Sequence, residues 1–291
     1  MIYSNQSCTI KDGKINFSKD LSIRIPQYDK YKDYFEKFQQ VRVLPKSNKN
    51  VLIEIIYKKE YENKELDKDR YAAIDLGINN LATVIFDCYE TVLYNGRVLK
   101  STNQFTSKMV AKYRSELEKK NKRKFSNRIK TFYNKHNTRV NDLLHKISRN
   151  IINKAIKYNI GTIVVGYNKG WKDSINIGKR NNQIFVQIPF ENLLHKLEYK
   201  CKQHGIEFVR HEESYTSKCD ALVMEKICKH DVYSGKRIKR GLFQSSCGKL
   251  INADVNGSLN ILRKVVGDSN NNVCRIINSG RLFRPIKYNI L

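Results

Sequence analysis

Asp75 is the first residue in this chain whose position predicts chemistry. It ends an apolar run at residues 71–74 and is followed by Leu76 and Gly77, the pattern of a buried strand that delivers a carboxylate to its tip. A desolvated carboxylate is costly unless a cation meets it. Two Mg²⁺ ions about 3.5–4 Å apart would do so, and they are the usual means of hydrolysing a phosphodiester with water as nucleophile. The alternative is a turn aspartate whose oxygens accept backbone N–H groups.

Asp254 is the second carboxylate of this kind. It opens a predicted helix over residues 253–266, whose apolar face is formed by Val255, Leu259 and Leu262. In the first turn of a helix, the helix dipole stabilises the ionised, metal-binding form of a carboxyl group. An ordinary acidic residue at a helix N-terminus is the alternative interpretation.

The charge of the chain predicts the class of its partner. Lys and Arg number 55 against 28 Asp and Glu, a formal net charge of +27 over 291 residues. Such a chain repels itself unless a polyanion neutralises it, and nucleic acid is the usual polyanion. A basic ribosomal protein or a membrane-surface protein is the alternative. The hydrophobic fraction of 40% predicts a globular chain rather than a disordered one.

The sequence lacks the patterns of membrane-spanning and secreted proteins. No apolar run approaches the roughly 18 residues of a membrane span, and residues 1–9 are polar, without the apolar segment of a signal peptide. The seven cysteines are odd in number and irregularly spaced, which predicts reduced thiols. We therefore expect an intracellular, reducing location, in the cytoplasm or associated with the nucleoid.

The elements that must position the two aspartates follow the order β-β-β-α-β-α-β, an insert and a final helix. This order predicts an α/β fold with the topology of RNase H, a mixed five-stranded sheet with helices packed on it. A small β-rich module, interpreted as a partial barrel, precedes the core. The expected divisions are 1–69 (β-rich module), 70–215 (core, with a long helical insertion at 104–158), 216–250 (nucleic-acid-binding insert), 251–266 (last core helix) and 267–291 (loosely ordered tail).

Four short motifs resemble those of a known family. The run DLGINNLA at 75–82 resembles the first RuvC motif of the TnpB-type transposon nucleases, the compact relatives of type V CRISPR effectors. NADVNGSLNI at 252–261 resembles their third motif, and HKIS at 145–148 and YTS at 215–217 resemble family landmarks. The resemblance covers about residues 40–265. It implies a RuvC-like (RNase H-like) core and RNA-guided cleavage of DNA with Mg²⁺ or Mn²⁺.

The resemblance also implies partners. These are a guide RNA, DNA as a single strand or heteroduplex, and a separate transposase encoded by the same element. Relatives normally carry a longer N-terminal barrel with a helical recognition insert. The short β-rich module here therefore indicates a fragment, a degenerate copy, or a minimal form that works with a partner.

One family feature is missing from this chain. Relatives usually place a glutamate at the tip of the fourth core strand, where this chain has Gly166 or Tyr167. In one interpretation Glu213, or else Glu212, replaces it from the tip of the fifth strand and holds the metal ions with the two aspartates. In a second interpretation the site is inactive, and the chain is an RNA-guided DNA-binding protein, a repressor or transposon accessory. A generic basic RNA-binding protein without an acidic cluster is the third.

Basic residues in three segments are the expected contacts to nucleic acid. They are Lys119, Lys120, Lys122, Arg123, Lys124, Arg128 and Lys130 of the helical insertion, Lys172 of a polar loop, and Lys236, Arg237, Lys239 and Arg240 of the insert. Phe125, Phe132 and Tyr133 lie among those of the helical insertion and are expected to stack on bases. A solvated helix and solvated loops, with aromatic rings that merely pack, are the alternatives.

Relatives also usually carry a four-cysteine zinc site between the second and third motifs. The insert of this chain has only Cys219, Cys228 and Cys247, without a Cys-x-x-Cys pair. Structural zinc normally needs four ligands that include close pairs. We therefore expect packing thiols and no structural zinc.

Overall fold

The computed structural model describes residues 1–17, 20–46, 51–61, 64–121, 125–168 and 187–289. The chain forms two compact units. Unit one comprises Met1–Tyr61 and Val110–Lys135, and unit two comprises Glu62–Met109 and His136–Leu291. Each unit is therefore discontinuous in sequence.

The N-terminal part of unit one is made of short strands and one helix. Their bounds are β1 Ile2–Ser4, β2 Thr9–Lys11, β3 Lys14–Asn16, β4 Ser22–Arg24, α1 Tyr28–Phe35, β5 Phe38–Pro45 and β6 Val51–Tyr57. Strands β1, β5 and β6 form one antiparallel sheet, and β2, β3 and β4 form another. Cys8, Ile15 and Val41 are buried in the core between them.

The turn between β2 and β3 shows why these two strands pair. Asp12 and Gly13 both have positive φ angles, 52° and 74°. A two-residue hairpin turn whose twist matches its strands needs this conformation, and Asp-Gly adopts it at little cost.

Two long helices follow the third strand of the core, α2 Arg97–Asn121 and α3 Asn127–Lys157. These helices span the segment predicted as a helical insertion at 104–158, with α2 beginning at residue 97. The C-terminal part of α3 carries an apolar stripe that includes Leu144, Ile147 and Ile151, all buried. Their i, i+3 and i+7 spacing places them on one face of the helix.

Unit two is organised around a six-stranded mixed sheet. The remaining elements are β7 Asp67–Leu76, β8 Asn80–Phe86, β9 Glu90–Asn95, β10 Ile160–Gly166, α4 Phe190–Gln203, β11 Glu207–His211, β12 Lys236–Lys239, β13 Leu242–Gln244, β14 Leu250–Asn252, α5 Ala253–Val266, α6 Asn271–Asn278 and β15 Ile286–Tyr288. The sheet order is β11-β10-β7-β8-β9-β15. Strands β7, β8 and β9 form an antiparallel meander, and β10, β11 and β15 add in parallel.

The two faces of this sheet are covered by different helices. Alternate residues of β7 point to opposite faces, so Ala72 and Ile74 pack with α3 and α4, whereas Ala73 packs with α5. Strand β10 is buried along its whole length, in keeping with its largely apolar sequence, and its one polar side chain, Thr162, donates a hydrogen bond to the Lys68 carbonyl. The expected α/β fold is confirmed.

The C-terminal residues correct one expectation. Residues 271–289 do not form a loosely ordered tail, since they contain α6 and the edge strand β15, which makes the sheet six-stranded rather than five-stranded. Val273, Ile276 and Leu282 are buried in the same core cluster as α5. Burial of these few apolar side chains orders a segment that is otherwise polar.

The insert at residues 216–250 contains more regular structure than its sequence predicts. Strands β12, β13 and β14 form a small antiparallel sheet that leads into α5. Asp220 is fully buried beside it and accepts hydrogen bonds from the Ser245 hydroxyl at 2.7 Å and the Ser246 backbone at 2.8 Å. This carboxylate joins the two ends of the insert. No helix among the described residues is long and apolar enough to cross a membrane.

Candidate active site

Asp75 lies near the C-terminal end of β7, on the face of the sheet that α5 covers. Gly257 of α5 passes directly over it, since a Cβ atom added there would lie 3.3 Å from Asp75 Oδ2. The helix can approach the strand this closely because the glycine has no side chain. The carboxylate is therefore held in a narrow space between strand and helix.

Asp254 approaches from the first turn of α5. The Asn252 side chain caps this helix by accepting hydrogen bonds from the backbone N–H groups of Asp254 and Val255. Asn80, at the start of β8, donates a hydrogen bond of 2.7 Å to Asp254 Oδ2, and the Arg237 guanidinium lies 3.8 Å from Oδ1. The position and the orientation of the carboxylate are thus both fixed.

Glu213 turns inward from the loop after β11. Its Oε2 atom is buried and has no hydrogen-bond partner among the described residues. A Cβ atom added to Gly166, at the tip of β10, would lie 2.5 Å from this oxygen. The Glu213 carboxylate therefore occupies the space that a side chain on β10 would otherwise fill. Asn168 fixes the backbone here by accepting a hydrogen bond from Glu213 N at 3.1 Å.

The electrostatics of the two innermost carboxylates report their proximity. Burial, followed by the charges of Glu213 and Asp254, raises the pKa of Asp75 well above its ordinary value, and Arg237 only partly opposes this. Burial and the charge of Glu212 raise the pKa of Glu213 to about 7. Neighbouring carboxylates with raised pKa values are the state expected where a cation is to be bound.

Glu212 faces the other way. It is more than half exposed, and its Oε2 atom accepts a hydrogen bond of 2.8 Å from Lys264. Partial burial acts to raise its pKa, but the hydrogen bonds from Lys264 and the Ser214 backbone outweigh it and hold the pKa below the ordinary value. Of the two adjacent glutamates, only Glu213 has a buried carboxylate oxygen, and its charge acts to raise the pKa of Asp75.

Helix α5 also carries a polar stripe that sequence reasoning missed. Asn256 donates to Cys219 O at 2.9 Å and accepts from Ala221 N at 3.0 Å. Asn260 donates to the carbonyl oxygens of Thr216 and Cys219 at 2.8 and 2.7 Å. Thr216 in turn donates to Glu213 O. The stripe therefore holds the loop that begins at Glu213. Its signal in the sequence was two asparagines four residues apart on a buried helix.

Arg263 completes the stripe one turn later. Its side chain is fully buried, and it donates to Asn260 Oδ1, to both carboxylate oxygens of Asp268 and to the carbonyl of Glu225. These bonds satisfy four of the five guanidinium N–H groups. A buried arginine satisfied in this way fixes its neighbours in one arrangement.

A basic cavity of about 430 Å³ lies beside Asp254. Arg97, Arg237, Arg240 and Lys287 line it, together with loop residues 77–80 and Gly241. Two of these cations, Arg237 and Arg240, were expected from the sequence. Arg97 and Lys287 were missed because they come from the start of α2 and from the unpredicted strand β15.

The other predicted basic contacts are distributed over both units. Lys119, Lys120, Arg128 and Lys130 are exposed in unit one, and Lys236 and Lys239 are exposed on β12 of unit two. The remaining predicted contacts, Lys122, Arg123, Lys124 and Lys172, lie outside the described residues.

The aromatic residues of the helical insertion take part in packing. The Phe132 ring packs against Tyr113 at 5.4 Å between centroids, and Tyr133 accepts a hydrogen bond from Arg114 at 3.2 Å. Phe125 is largely exposed beneath the Arg114 guanidinium. The packing interpretation thus describes Phe132, whereas Phe125 retains a free face.

The acidic side chains of this site determine whether it could hold a metal ion. Among the described residues, no three His, Cys, Asp or Glu side chains are arranged around one point so that they would hold a metal as they stand. The donors nevertheless suit a hard divalent cation, because they are carboxylate oxygens and one of them, Glu213 Oε2, is buried without a partner. The two carboxylate oxygens of Asp254 contact Asn80 and Arg237 instead of pointing to a position shared with the other two carboxylates.

Two family models match the chain. The model described as "Probable transposase" (OrfB_IS605) matches residues 54–172, and the model "Cas12f1-like, TNB domain" matches residues 190–261. The first covers β6 through α3 and β10, including Asp75. The second covers α4, the insert and the start of α5, including Glu213 and Asp254.

Proteins similar to this chain include two TnpB-like proteins and a Cas12f1 endodeoxyribonuclease. A TnpB-like protein of Acidianus two-tailed virus is 27% identical over 208 residues, which are 68% of this chain and 42% of that protein. A TnpB-like protein of Methanocaldococcus jannaschii is 28% identical over 201 residues, 66% of this chain and 67% of its own length. The CRISPR-associated endodeoxyribonuclease Cas12f1 of Sulfoacidibacillus thermotolerans is 29% identical over 131 residues, 43% of this chain and 28% of that protein.

A solved structure has the same fold. A chain from a cryo-EM structure of a Cas12f1–sgRNA–target DNA complex superposes with a TM-score of 0.51 at 21% identity, over 76% of this chain and 55% of that one. The present chain therefore spans about half of the length of this neighbour and 42% of the length of the viral relative. The RuvC-like fold expected from the sequence motifs is confirmed.

Proposed function

We propose that this chain, a member of the TnpB-type family of RuvC-like nucleases, is itself an endonuclease that hydrolyses DNA phosphodiester bonds with Asp75, Glu213 and Asp254. The observation that carries the proposal is the buried, unpaired Oε2 atom of Glu213 beside Gly166. An acidic oxygen is costly in such a place without a partner. Its cost is offset if the oxygen binds a cation during function.

The three carboxylates would hold Mg²⁺ or Mn²⁺. Divalent cations bound to such a set supply the activation of an attacking water and the stabilisation of a leaving oxygen. Asn80 keeps one oxygen of Asp254 oriented, and Arg237 reduces the net negative charge of the group. The raised pKa values of Asp75 and Glu213 mean that the empty site retains protons, which cation binding would displace.

RNA guidance belongs to the same proposal. The formal charge of +27 calls for a polyanionic partner, and the solved neighbour is described as a complex with a guide RNA and target DNA. We extend these partners to this chain, with DNA bound as a single strand or as an RNA:DNA heteroduplex. A separate transposase encoded by the same element, and a cytoplasmic or nucleoid-associated location, are further parts of the proposal.

A nuclease-inactive, RNA-guided DNA-binding protein is the second candidate. The arrangement of the described acidic residues favours it in one respect, since they do not already surround a single point. In that case the chain would act as a repressor or a transposon accessory protein. DNA binding without cleavage is the property that separates the two candidates.

Cleavage of labelled single-stranded DNA tests the proposal. The full chain with its co-purified RNA is incubated with Mg²⁺, with Mn²⁺ or with a chelator, and is compared with Asp75→Ala. We expect cleavage by the wild type with either cation and none with chelator or in the variant. Equal residual cleavage by wild type and variant would identify a contaminating nuclease and overturn the proposal. DNA binding without any cleavage would establish the second candidate.

A further inference from the structure

We infer that the basic cavity beside Asp254 is a phosphate subsite, which binds the backbone of the DNA strand next to the bond that is cut. The inference rests on the proposed function, because it assigns to the same site the segment of substrate that flanks the reaction. The cavity has a volume of about 430 Å³ and opens beside the Asp254 carboxylate.

The cations that line the cavity come from separate parts of unit two. Arg97 is the first residue of α2, Arg237 lies on β12, Arg240 follows that strand, and Lys287 lies on β15. Segments far apart in sequence thus bring four cations to one volume, and Asp254 is the single carboxylate among its described lining residues. Like charges repel, so their convergence costs free energy unless an anion offsets it.

Three of these cations lack an acidic partner. Arg97, Arg240 and Lys287 form no ion pair with any carboxylate of the residues that the structure describes. Arg237 alone has one, at 3.8 Å from Asp254. Asp254 is itself one of the residues that line the cavity. A phosphate in the cavity would therefore lie next to the reacting centre.

The rest of the lining favours the backbone of a strand over its bases. Asparagine amides and the glycine-containing loop 77–80 supply polar groups, and none of the described lining residues is aromatic. Stacking of bases needs aromatic faces, whereas phosphates are recognised by cations, amides and backbone N–H groups. The cavity is thus suited to positioning the backbone of a DNA strand and not to recognising its base sequence.

Strand β15 is part of this subsite. Lys287 pairs with Leu93 of β9, and the Leu93 side chain packs in the same core cluster as α5. Paired residues of neighbouring strands point to the same face. Lys287 therefore lies on the face of the sheet that carries Asp75. The C-terminal residues have a function beyond closing the edge of the sheet.

The salt dependence of DNA binding tests the inference without any need for cleavage. The full chain with its co-purified RNA is titrated against a fluorescent single-stranded DNA in chelator at several salt concentrations. The test variant is Arg97→Gln/Lys287→Gln. The matched control is Lys202→Gln/Arg275→Gln, which removes the same charge from exposed positions away from the cavity.

We expect the DNA affinity of the test variant, but not that of the control, to depend less steeply on salt concentration than the affinity of the wild type does. The slope of log K against log salt should fall by about 1.4 in magnitude, since each phosphate contact on a single strand contributes about 0.7. The control should retain the wild-type slope. Equal slopes in the two variants would overturn the inference. So would stabilisation of the wild type by inorganic phosphate together with an unchanged DNA slope, because that result indicates a site for free anions.

Failure of the inference is distinguishable from failure of the proposed function. A wild type that cuts DNA while the test variant keeps its salt slope would remove the subsite and leave the nuclease. A wild type that never cuts, but whose test variant loses slope, would leave the subsite on a DNA-binding protein.

Discussion

At the scale of single residues, the site depends on Gly166 having no side chain, because the Glu213 carboxylate takes up the space beside it. The tip of β10 has no side chain, and the carboxylate from the next strand fills the space. The same space cannot hold both a Cβ at residue 166 and the Glu213 carboxylate in its present position. The glycine at residue 166 and the Glu213 carboxylate therefore form a single feature of the proposed active site.

Gly166→Ala should separate activity from folding. The added Cβ would lie 2.5 Å from Glu213 Oε2 and would also contact Ile261, so the carboxylate must move. Misplacement by about 1 Å can lower a rate about 100-fold, whereas overpacking costs about 1–3 kcal/mol of stability. Cleavage rates and denaturant unfolding measure the two effects. Gly166→Ala/Ile261→Val should regain stability but not activity, and recovery of both would contradict the role of Glu213.

The pH dependence of stability provides a test that needs no cleavage. In the metal-free protein Glu213 has a pKa of about 7, above its ordinary value of 4.5. The folded state therefore binds more protons than the unfolded state in this range, and its stability falls as pH rises from 4.5 through 7. Glu213→Gln mimics the protonated acid. With chelator, its Tm should match wild type at pH 5 and exceed it at pH 8, and an equal Tm at pH 8 would count against burial of the charge.

Sequence reasoning identified the two aspartates because each stands at a recognisable element end. It found Glu213 only together with Glu212, since adjacent residues of an extended segment point to opposite faces and the sequence does not say which is inside. The choice is made by contacts about 50 residues away. Lys264 holds Glu212 outward, and Gly166 leaves room for Glu213.

At the scale of elements, α5 both supplies a carboxylate and positions another. Its apolar face packs on the sheet, while Asn256, Asn260 and Arg263 hold the loop that follows Glu213. The helix was predicted from its apolar periodicity. The role of its polar stripe was not, because hydrogen bonds to loop carbonyls leave no periodic signal.

Asn260→Ala should impair folding stability and cleavage together. It removes the hydrogen bond to the Thr216 carbonyl, one of the two hydrogen bonds to the Cys219 carbonyl, and the acceptor of one Arg263 N–H, all in a buried place. Loss of such a buried group costs about 1–3 kcal/mol. Denaturant unfolding and cleavage assays check this against Asn153→Ala, which alters an exposed residue of α3. A stability loss no larger than that of the control would show that the stripe does not hold the loop.

Helices α3 and α4 are joined by a buried lysine. Lys200 is fully buried, and its Nζ donates to Ser148 Oγ and to the His145 carbonyl, while no carboxylate in the described part of the chain forms an ion pair with it. Burial, helped by the charges of Arg149 and Lys196, lowers its pKa to about 8. The protein therefore binds this proton less tightly when it is folded.

Lys200→Met should stabilise the protein near neutral pH. Replacing a buried charge by an apolar side chain of similar length often gains about 1–2 kcal/mol. Between pH 8 and 10.5 the unfolded wild type binds more protons than the folded state, so wild-type stability rises with pH there. The advantage of the variant in denaturant unfolding should shrink over this interval. A variant less stable than wild type at pH 7 would show that the hydrogen bonds outweigh the cost of the charge.

At the scale of the whole molecule, charge predicted a nucleic-acid partner and element order predicted an α/β fold with RNase H topology, whereas the RuvC-like class was implied by the resemblance of the motifs at 75–82 and 252–261. The discontinuous units were beyond that reasoning, because α2 and α3 each contribute to both units. Strand β15 was also missed, since three residues give too little periodicity and its partner lies nearly 200 residues earlier. These features depend on tertiary contacts, which a linear pattern does not encode.

The central claim is that Glu213, and not its neighbour Glu212, supplies the third carboxylate. The most direct measurement is the single-turnover cleavage rate of Glu213→Ala and Glu212→Ala at saturating Mn²⁺, each with its co-purified RNA and the same labelled DNA. The Glu213 carboxylate is buried and its charge acts on Asp75, while the Glu212 carboxylate is exposed and pairs with Lys264. We predict a loss of about 1,000-fold or more for Glu213→Ala, comparable to removal of a group that stabilises charge in the transition state, and a rate within a few-fold of wild type for Glu212→Ala. Equal rates for the two variants, or a larger loss in Glu212→Ala, would contradict the claim.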